Sequence, residues 1–145
     1  MNDRVITNIK EGVAEVELNR PNKHNALDHK MFGSIIEVGD QLAKDRSIRA
    51  VILHGAGKSF CAGIDLSMFD EEGLASAQSE RMKPRKNSLS NYYQSAAYVW
   101  REIPVPVIAA LHGAVYGGGL QIALGADIRY AAKDTLLSIM EIKLG

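Results

Sequence analysis

The sequence predicts an α/β fold with parallel strand pairs, and three observations carry that expectation. "IRAVILHG" (48–55) and "VIAALHG" (107–113) are continuous apolar runs of strand length, as expected of strands covered on both faces. Segments with apolar residues at helical spacing lie between and around them. Strand-like and helix-like stretches therefore alternate, and that alternation calls for crossover connections and parallel pairing.

The elements follow in order. "VITNIKEGVAEVELNRP" reads as two short strands around a Glu11-Gly12 turn, with Val13, Ala14, Val16 and Leu18 apolar and Pro21 ending the run. "LDHKMFGSIIEVGDQLAKD" reads as a helix, because Met31, Ile35, Val38 and Leu42 recur on one face and Asp28 can cap its start. The first apolar strand follows, then a loop, "AGKSFCAGIDL". Residues 70–90 are polar and contain Pro84, the pattern of a mobile segment. "SNYYQSAAYVWREI" reads as a second helix with Tyr93, Ala97 and Trp100 on one face, stopped by Pro104 and Pro106. After the second apolar strand, Gly117–Gly119 open a helix, "GGLQIALGA", and "DIRYAA" and "TLLSI" read as two closing strands. No internal repeat or linker divides the chain, so a single domain over 1–145 is expected.

Composition narrows the function classes. The 145 residues carry 17 basic and 17 acidic side chains, a net charge of zero that argues against a nucleic-acid-binding surface. The one cysteine, Cys61, excludes an internal disulfide framework and fits a reducing compartment. No apolar leader pattern opens the chain, and no run is long enough to span a bilayer. The expectation is a soluble cytoplasmic protein.

Two loops share one design, in which a buried strand runs into a glycine-bearing loop and a helix start follows. One lies around Ala62-Gly63 and the other around Gly117, Gly118 and Gly119. N–H groups at a helix start lack intrahelical partners, and glycines let a ligand approach the backbone closely. Two such donors aimed at one point would form an oxyanion hole. "HGAGKS" is not a phosphate-binding P-loop: that motif needs glycine five residues before Gly57, where Ile52 stands. Nothing points to a metal, because His54 and His112 are too scattered, and Cys61 has no nearby base and reads as a loop filler.

"VELNRPNKHNAL", "SFCAGIDL" and "IAALHGAVYGGGLQIALGADIRYAA" occur in that order across nearly the whole chain. Together they resemble the enoyl-CoA hydratase/isomerase, or crotonase, superfamily. The resemblance implies a spiral of ββα units, acyl-CoA thioester substrates with coenzyme A as part of the substrate and no further cofactor, and a trimer or hexamer. By motif position it implies that the N–H groups of Ala62 and Gly118 hold the thioester oxygen. It places Lys23, Asn25, Ala26 and Leu27 at the nucleotide end of CoA. Ile64, Asp65 and Leu66 would line adenine and pantetheine, with Gly63 and Gly117 beside the substrate.

In the family's hydratases two glutamates share the proton work; here the matching positions are Gln121 and Glu141. Glutamine can hydrogen-bond but cannot accept and return a proton, so Gln121 is expected to orient or pack. A lone acid/base at Glu141 suits a double-bond shift better than water addition. Family members usually continue past the second glutamate, whereas this chain stops four residues after Glu141. The domain is therefore expected to be incomplete relative to the family, lacking its C-terminal helical part. Two other readings stand beside the enzyme: a non-catalytic acyl-CoA binder and a truncated, inactive member.

Overall fold

The computed structural model describes residues 4–69, 79–140 and 142. Val5–Lys10 (β1) and Val13–Leu18 (β2) form an antiparallel hairpin in register Val5↔Leu18 to Lys10↔Val13. Its two loop residues, Glu11 and Gly12, have φ of 53° and 81°, the positive values that a twist-matched two-residue hairpin requires. Ala14, Val16 and Leu18 point inward and are wholly buried.

β2 pairs in parallel with Ala50–Gly55 (β3), β3 with Val107–Leu111 (β4), and β4 with Ile128–Ala131 (β6). The sheet order is β1-β2-β3-β4-β6. Ala114–Tyr116 (β5) and Leu136–Ser138 (β7) form a separate parallel pair, extended by a bridge from Cys61 to Val115. Strand β5 was not foreseen, because three residues between two glycines carry too little pattern to read as a strand.

Helix α1, His29–Leu42, starts as expected at Asp28, whose carboxylate accepts the Met31 N–H at 2.8 Å. Met31, Ile35, Val38 and Leu42 are all buried. Helix α2, Tyr92–Glu102, is capped by Asn91, with Gln94 answering from the first turn. Its buried face is Ser95, Ala96, Val99 and Trp100, rotated from the expected one; Tyr93 and Ala97 are half-buried. Tyr93 instead packs edge-on against Phe32, with ring centroids 5.5 Å apart. Helix α3 is Gly118–Gly125. The helices pack closely: a Cβ on Gly39 would lie 2.6 Å from Val99 Cβ, so the Val99 side chain of α2 rests on the bare backbone of α1.

The inward faces of the helices and strands merge into one cluster around Trp100, Phe60, Met31, Leu53 and Val107. Each such fully buried side chain contributes roughly 1.5–3 kcal/mol of transfer free energy. The sheet is not sealed on both sides, contrary to the sequence expectation. On β3, Val51 and Leu53 are buried while Ile52 and His54 are only half-buried. Glu15 and Glu17 share that outer face, and His54 Nε2 lies 3.1 Å from Glu15 Oε1. Continuous hydrophobicity of β3 and β4 therefore reflects one sealed face and one partly open face. β6 and β7 keep Tyr130 and Leu136 well exposed, at 70% and 60%. Of the polar stretch 70–90 expected to be mobile, residues 70–78 lie outside the described residues, and the rest forms a 3₁₀ turn at Ser79–Met82 and a bridge between Pro84 and Asn91. Among the described residues, no helix is long and apolar enough to cross a membrane.

Candidate active site where two backbone loops meet

Three segments of distant sequence converge at the carboxyl ends of β2, β3 and β4. The first is the turn after β2, and Asn25 is its anchor. Asn25 has φ of 56°, a conformation its short polar side chain tolerates, and it is fully buried. Its amide nitrogen donates to the carbonyls of Ala56 (2.9 Å), Ser59 (2.8 Å) and Phe60 (3.1 Å), and its Oδ1 accepts from the Arg20 N–H at 2.8 Å. Asn25 thus ties the turn to the loop after β3, and its side chain has no group left for a ligand. Leu27, 1% exposed, is a core residue. The Ala26 carbonyl accepts from Arg20 Nη1 at 3.0 Å, and Lys23 is exposed.

The second segment is Ser59–Leu66. Leu27 N–H donates to Gly63 O at 2.8 Å, and Asp65 N–H donates to Leu27 O at 3.0 Å. This parallel bridge turns the Ile64 N–H away from Leu27, and that N–H has no protein partner among the described residues. Ala62 differs: its N–H already donates to His24 O at 2.9 Å. Of the two donors expected from the motif, Ala62 is therefore committed elsewhere, and the open N–H in this loop is that of Ile64. The motif marks the neighbourhood of a donor; only the pairing of each N–H shows which one is open.

Asp65 is likewise occupied. Its carboxylate accepts the Ser67 N–H at 3.0 Å and meets Arg20 Nη1 at 2.5 Å. The Ser67 hydrogen bond first, then the Arg20 guanidinium, hold its carboxyl at about 2. A carboxylate this acidic is a poor proton acceptor and serves here as a pin. Ile64 and Leu66 are 44% and 77% exposed. Cys61 is buried; burial pushes its thiol up to about 12, and Sγ donates to Asn25 O at 3.2 Å.

The third segment runs through the glycines. Gly117 N–H donates to Ser138 O at 2.9 Å. Gly118 opens α3, so its N–H has no intrahelical partner, and no described residue accepts it. The need for glycine is steric. A Cβ on Gly119 would lie 2.3 Å from Cys61 O, and one on Gly63 would lie 2.8 Å from Tyr116 O. Gly63 also has φ of +94°, which side chains rarely adopt. The same Cβ on Gly63 would lie 3.6 Å from Gly118 N, so only a bare backbone fits between the two loops, with the Ile64 and Gly118 N–H groups at their seam.

Gln121 is exposed on α3 and lines a groove of about 500 Å³ between α2 and α3. Glu141 lies outside the described residues. His112 Nε2 lies 3.0 Å from Gly57 O, a backbone role as expected. Among the described residues, no group of three or more His, Cys, Asp or Glu could hold a metal ion.

Known proteins share both the sequence and this architecture. The human protein named Delta(3,5)-Delta(2,4)-dienoyl-CoA isomerase, mitochondrial, is 35% identical over 142 residues, which are 97% of this chain and 43% of that protein. The 1,2-epoxyphenylacetyl-CoA isomerase of Escherichia coli is 32% identical over 145 residues, 100% of this chain and 53% of its own length. Among solved structures, an enoyl-CoA hydratase from Bacillus anthracis superposes with a TM-score of 0.81 at 29% identity, covering 98% of this chain and 52% of that one. The chain thus spans about half the length of the proteins it matches. The family profile described as enoyl-CoA hydratase/isomerase matches residues 8–145. With the motifs, the strand–glycine–helix loops and the superposition in agreement, the chain belongs to the enoyl-CoA hydratase/isomerase family.

Proposed function

We propose that this chain forms the enolate-stabilising part of an acyl-CoA hydratase/isomerase active site, with double-bond isomerisation favoured over hydration. The observation that carries the reading is the seam: the open N–H groups of Ile64 and Gly118 flank the point where Gly63 approaches Gly118. A thioester oxygen held there gains negative charge as the α-proton leaves. Backbone donors fixed in advance stabilise that charge without reorganising, and one donor of this kind contributes roughly 2.7–4 kcal/mol. Ile64 thus takes the donor role that the motif alone suggests for Ala62.

Glu141 is the proposed acid/base, moving the proton from one end of the allylic system to the other. Gln121 stands where a second carboxylate would activate water, and an amide cannot do that. The dienoyl-CoA and 1,2-epoxyphenylacetyl-CoA isomerases among the relatives support the isomerase choice. Exposed Lys23 is available to the CoA phosphates, and Ile64 and Leu66 supply apolar surface beside the pantetheine path. The exposed apolar side chains of β6 and β7 support association into the family's trimers or hexamers.

The test is exchange of the α- and γ-protons of an enoyl-CoA in heavy water, followed by NMR. Exchange by the chain that disappears in Glu141→Gln is the expected result. Exchange that persists in Glu141→Gln removes Glu141 as the base. Tight thioester binding with no exchange turns the reading to a non-catalytic binder.

A further inference from the structure

Ser59 lies in the loop after β3, a few residues before the Ile64 donor, and is 3% exposed. Its Oγ accepts the Ala114 N–H at 3.3 Å and lies 3.0 Å from His24 Nδ1. Among the described residues the hydroxyl has these two partners and no third. A buried hydroxyl spends its proton on an acceptor, and the Ala114 N–H offers none. The proton therefore goes to His24 Nδ1, which assigns the ring proton of neutral His24 to Nε2.

The two partners are the residues from which the donor loop hangs. His24 O accepts the Ala62 N–H at 2.9 Å, and Ala114 O accepts the Cys61 N–H at 3.1 Å. Tyr116 N–H donates back to Cys61 O at 3.0 Å. One hydroxyl thus couples the turn after β2 to the start of β5, and Cys61 and Ala62 are held between them. Ile64 follows directly after Gly63. The close approach is built in: a Cβ on Gly113 would lie 2.0 Å from Lys58 O and 3.0 Å from Ser59 Cα.

His24 is the less secure of the two partners. It is exposed and has φ of 49°, a left-handed conformation uncommon in residues that carry a side chain. The Ser59 hydroxyl holds its ring, and its carbonyl in turn occupies the Ala62 N–H. A turn at His24 would free Ala62 and shift the residues that lead into Ile64. Small misplacements of this kind are expensive in rate: about 1 Å costs on the order of 100-fold.

We infer that Ser59 is a positioning residue of the seam, and that through His24 and Ala114 it aims the Ile64 N–H at the thioester oxygen. This rests on the thioester reading above, since it needs an oxygen held at the seam. Ser59 acts through its two partners rather than on the substrate. It keeps a donor fixed before charge develops, so its loss lowers the rate more than the affinity.

The test joins two readouts on the 145-residue chain. One is the infrared band of butanoyl-CoA labelled with carbon-13 at its carbonyl; the other is γ-proton exchange of but-2-enoyl-CoA. Binding should move the carbonyl band to lower frequency than in water, because fixed donors weaken the C=O bond. Ser59→Ala should reverse part of that shift and slow exchange about tenfold, with butanoyl-CoA affinity kept within about twofold. His24→Ala, at an exposed position, should do the same. The double variant should be no slower than either single one, because both break one bond. An unchanged band and rate in Ser59→Ala overturn the inference and leave the thioester reading standing. So does a loss of affinity with the band in place, which makes the role of Ser59 purely structural. No carbonyl shift in the unaltered chain overturns the seam as the oxygen site and this inference with it. Matching melting curves exclude misfolding, and if Ser59→Ala does not fold, His24→Ala decides between the same outcomes.

Discussion

Arg20 Nη1 meets Asp65 Oδ2 at 2.5 Å across 45 residues of chain. The same guanidinium donates to Ala26 O at 3.0 Å and approaches Asp28 Oδ2 at 3.6 Å. One side chain therefore fixes the turn after β2, the start of α1 and the loop that presents Ile64. The donor at the seam is positioned from outside its own loop.

The first prediction concerns acid. Asp65 is held at about 2, below the ordinary carboxylate range, by the Ser67 N–H and then by Arg20. A depressed folded-state value stabilises the fold above the unfolded value of about 3.9, and that stabilisation is lost as pH falls from there towards 2. Asp28 contributes in the same direction: burial opposes the shift, but hydrogen bonds from Arg4 and the Met31 N–H outweigh it. Urea midpoints measured from pH 5 to 2.5 should fall for the unaltered chain and fall less steeply for Asp65→Asn. Parallel curves would show that Asp65 carries no such linkage.

The second concerns Asn25. Asn25→Ala removes four side-chain hydrogen bonds, strands the carbonyls of Ser59 and Phe60 in the interior, and keeps a φ of 56° that alanine resists. A loss on the order of 3–4 kcal/mol is expected in urea denaturation. Asn25→Gly should recover about 1 kcal/mol of it, the backbone part. Equal stabilities for the two variants would assign the whole loss to the side chain.

The third separates neighbouring glycines. At Gly119 a methyl group would strike backbone, 2.3 Å from Cys61 O, so Gly119→Ala should unfold the chain or lower its melting point sharply. At Gly118 it would meet only Leu27 Cδ1, at 2.8 Å, the far end of a side chain rather than backbone. Gly118→Ala should cost about 1–3 kcal/mol of stability, less than Gly119→Ala, yet slow proton exchange about tenfold or more by crowding the held oxygen. Exchange at the unaltered rate in a folded Gly118→Ala would move the oxygen site away from the seam.

The fourth concerns Gln121. Replacement by glutamate supplies the missing second carboxylate on an exposed position of α3. Hydration of an enoyl thioester, followed by loss of its ultraviolet absorbance, should rise relative to γ-proton exchange by about tenfold or more. An unchanged ratio would show that residue 121 does not reach the attacking water.

Much of this arrangement was legible in the sequence, for reasons that also mark where reading stopped. The face of α1 and its cap at Asp28 came through because a fourteen-residue helix repeats its pattern several times. Helix α2 was placed along the chain, but its face was not: Ser95 and Ala96 complete the buried side beside Val99 and Trp100, and neither serine nor alanine signals inside or outside strongly. The glycine runs announced a close backbone approach. They could not say that Gly119 meets Cys61 O or that Gly63 meets Tyr116 O, since these are contacts between segments. Asn25, matched by motif to a ligand position, is a structural anchor, and only its four bonds across more than one segment reveal that. Which N–H of this loop stays open, that of Ala62 or of Ile64, was closed to the sequence for the same reason, because a hydrogen bond to His24 O leaves no trace in residue type.

Cys61 gives the seam a further property. Its thiol is buried between the Asn25 carbonyl and the backbone of Gly119, and it is held protonated. Electrophiles react with thiolates, so the closed chain shields its only sulfhydryl from alkylation and oxidation. Damage at Cys61 is then gated by the opening of the loop contact, and its rate reports the frequency of that opening. The chemical lifetime of this one sulfur atom is a clock for the integrity of the site around it.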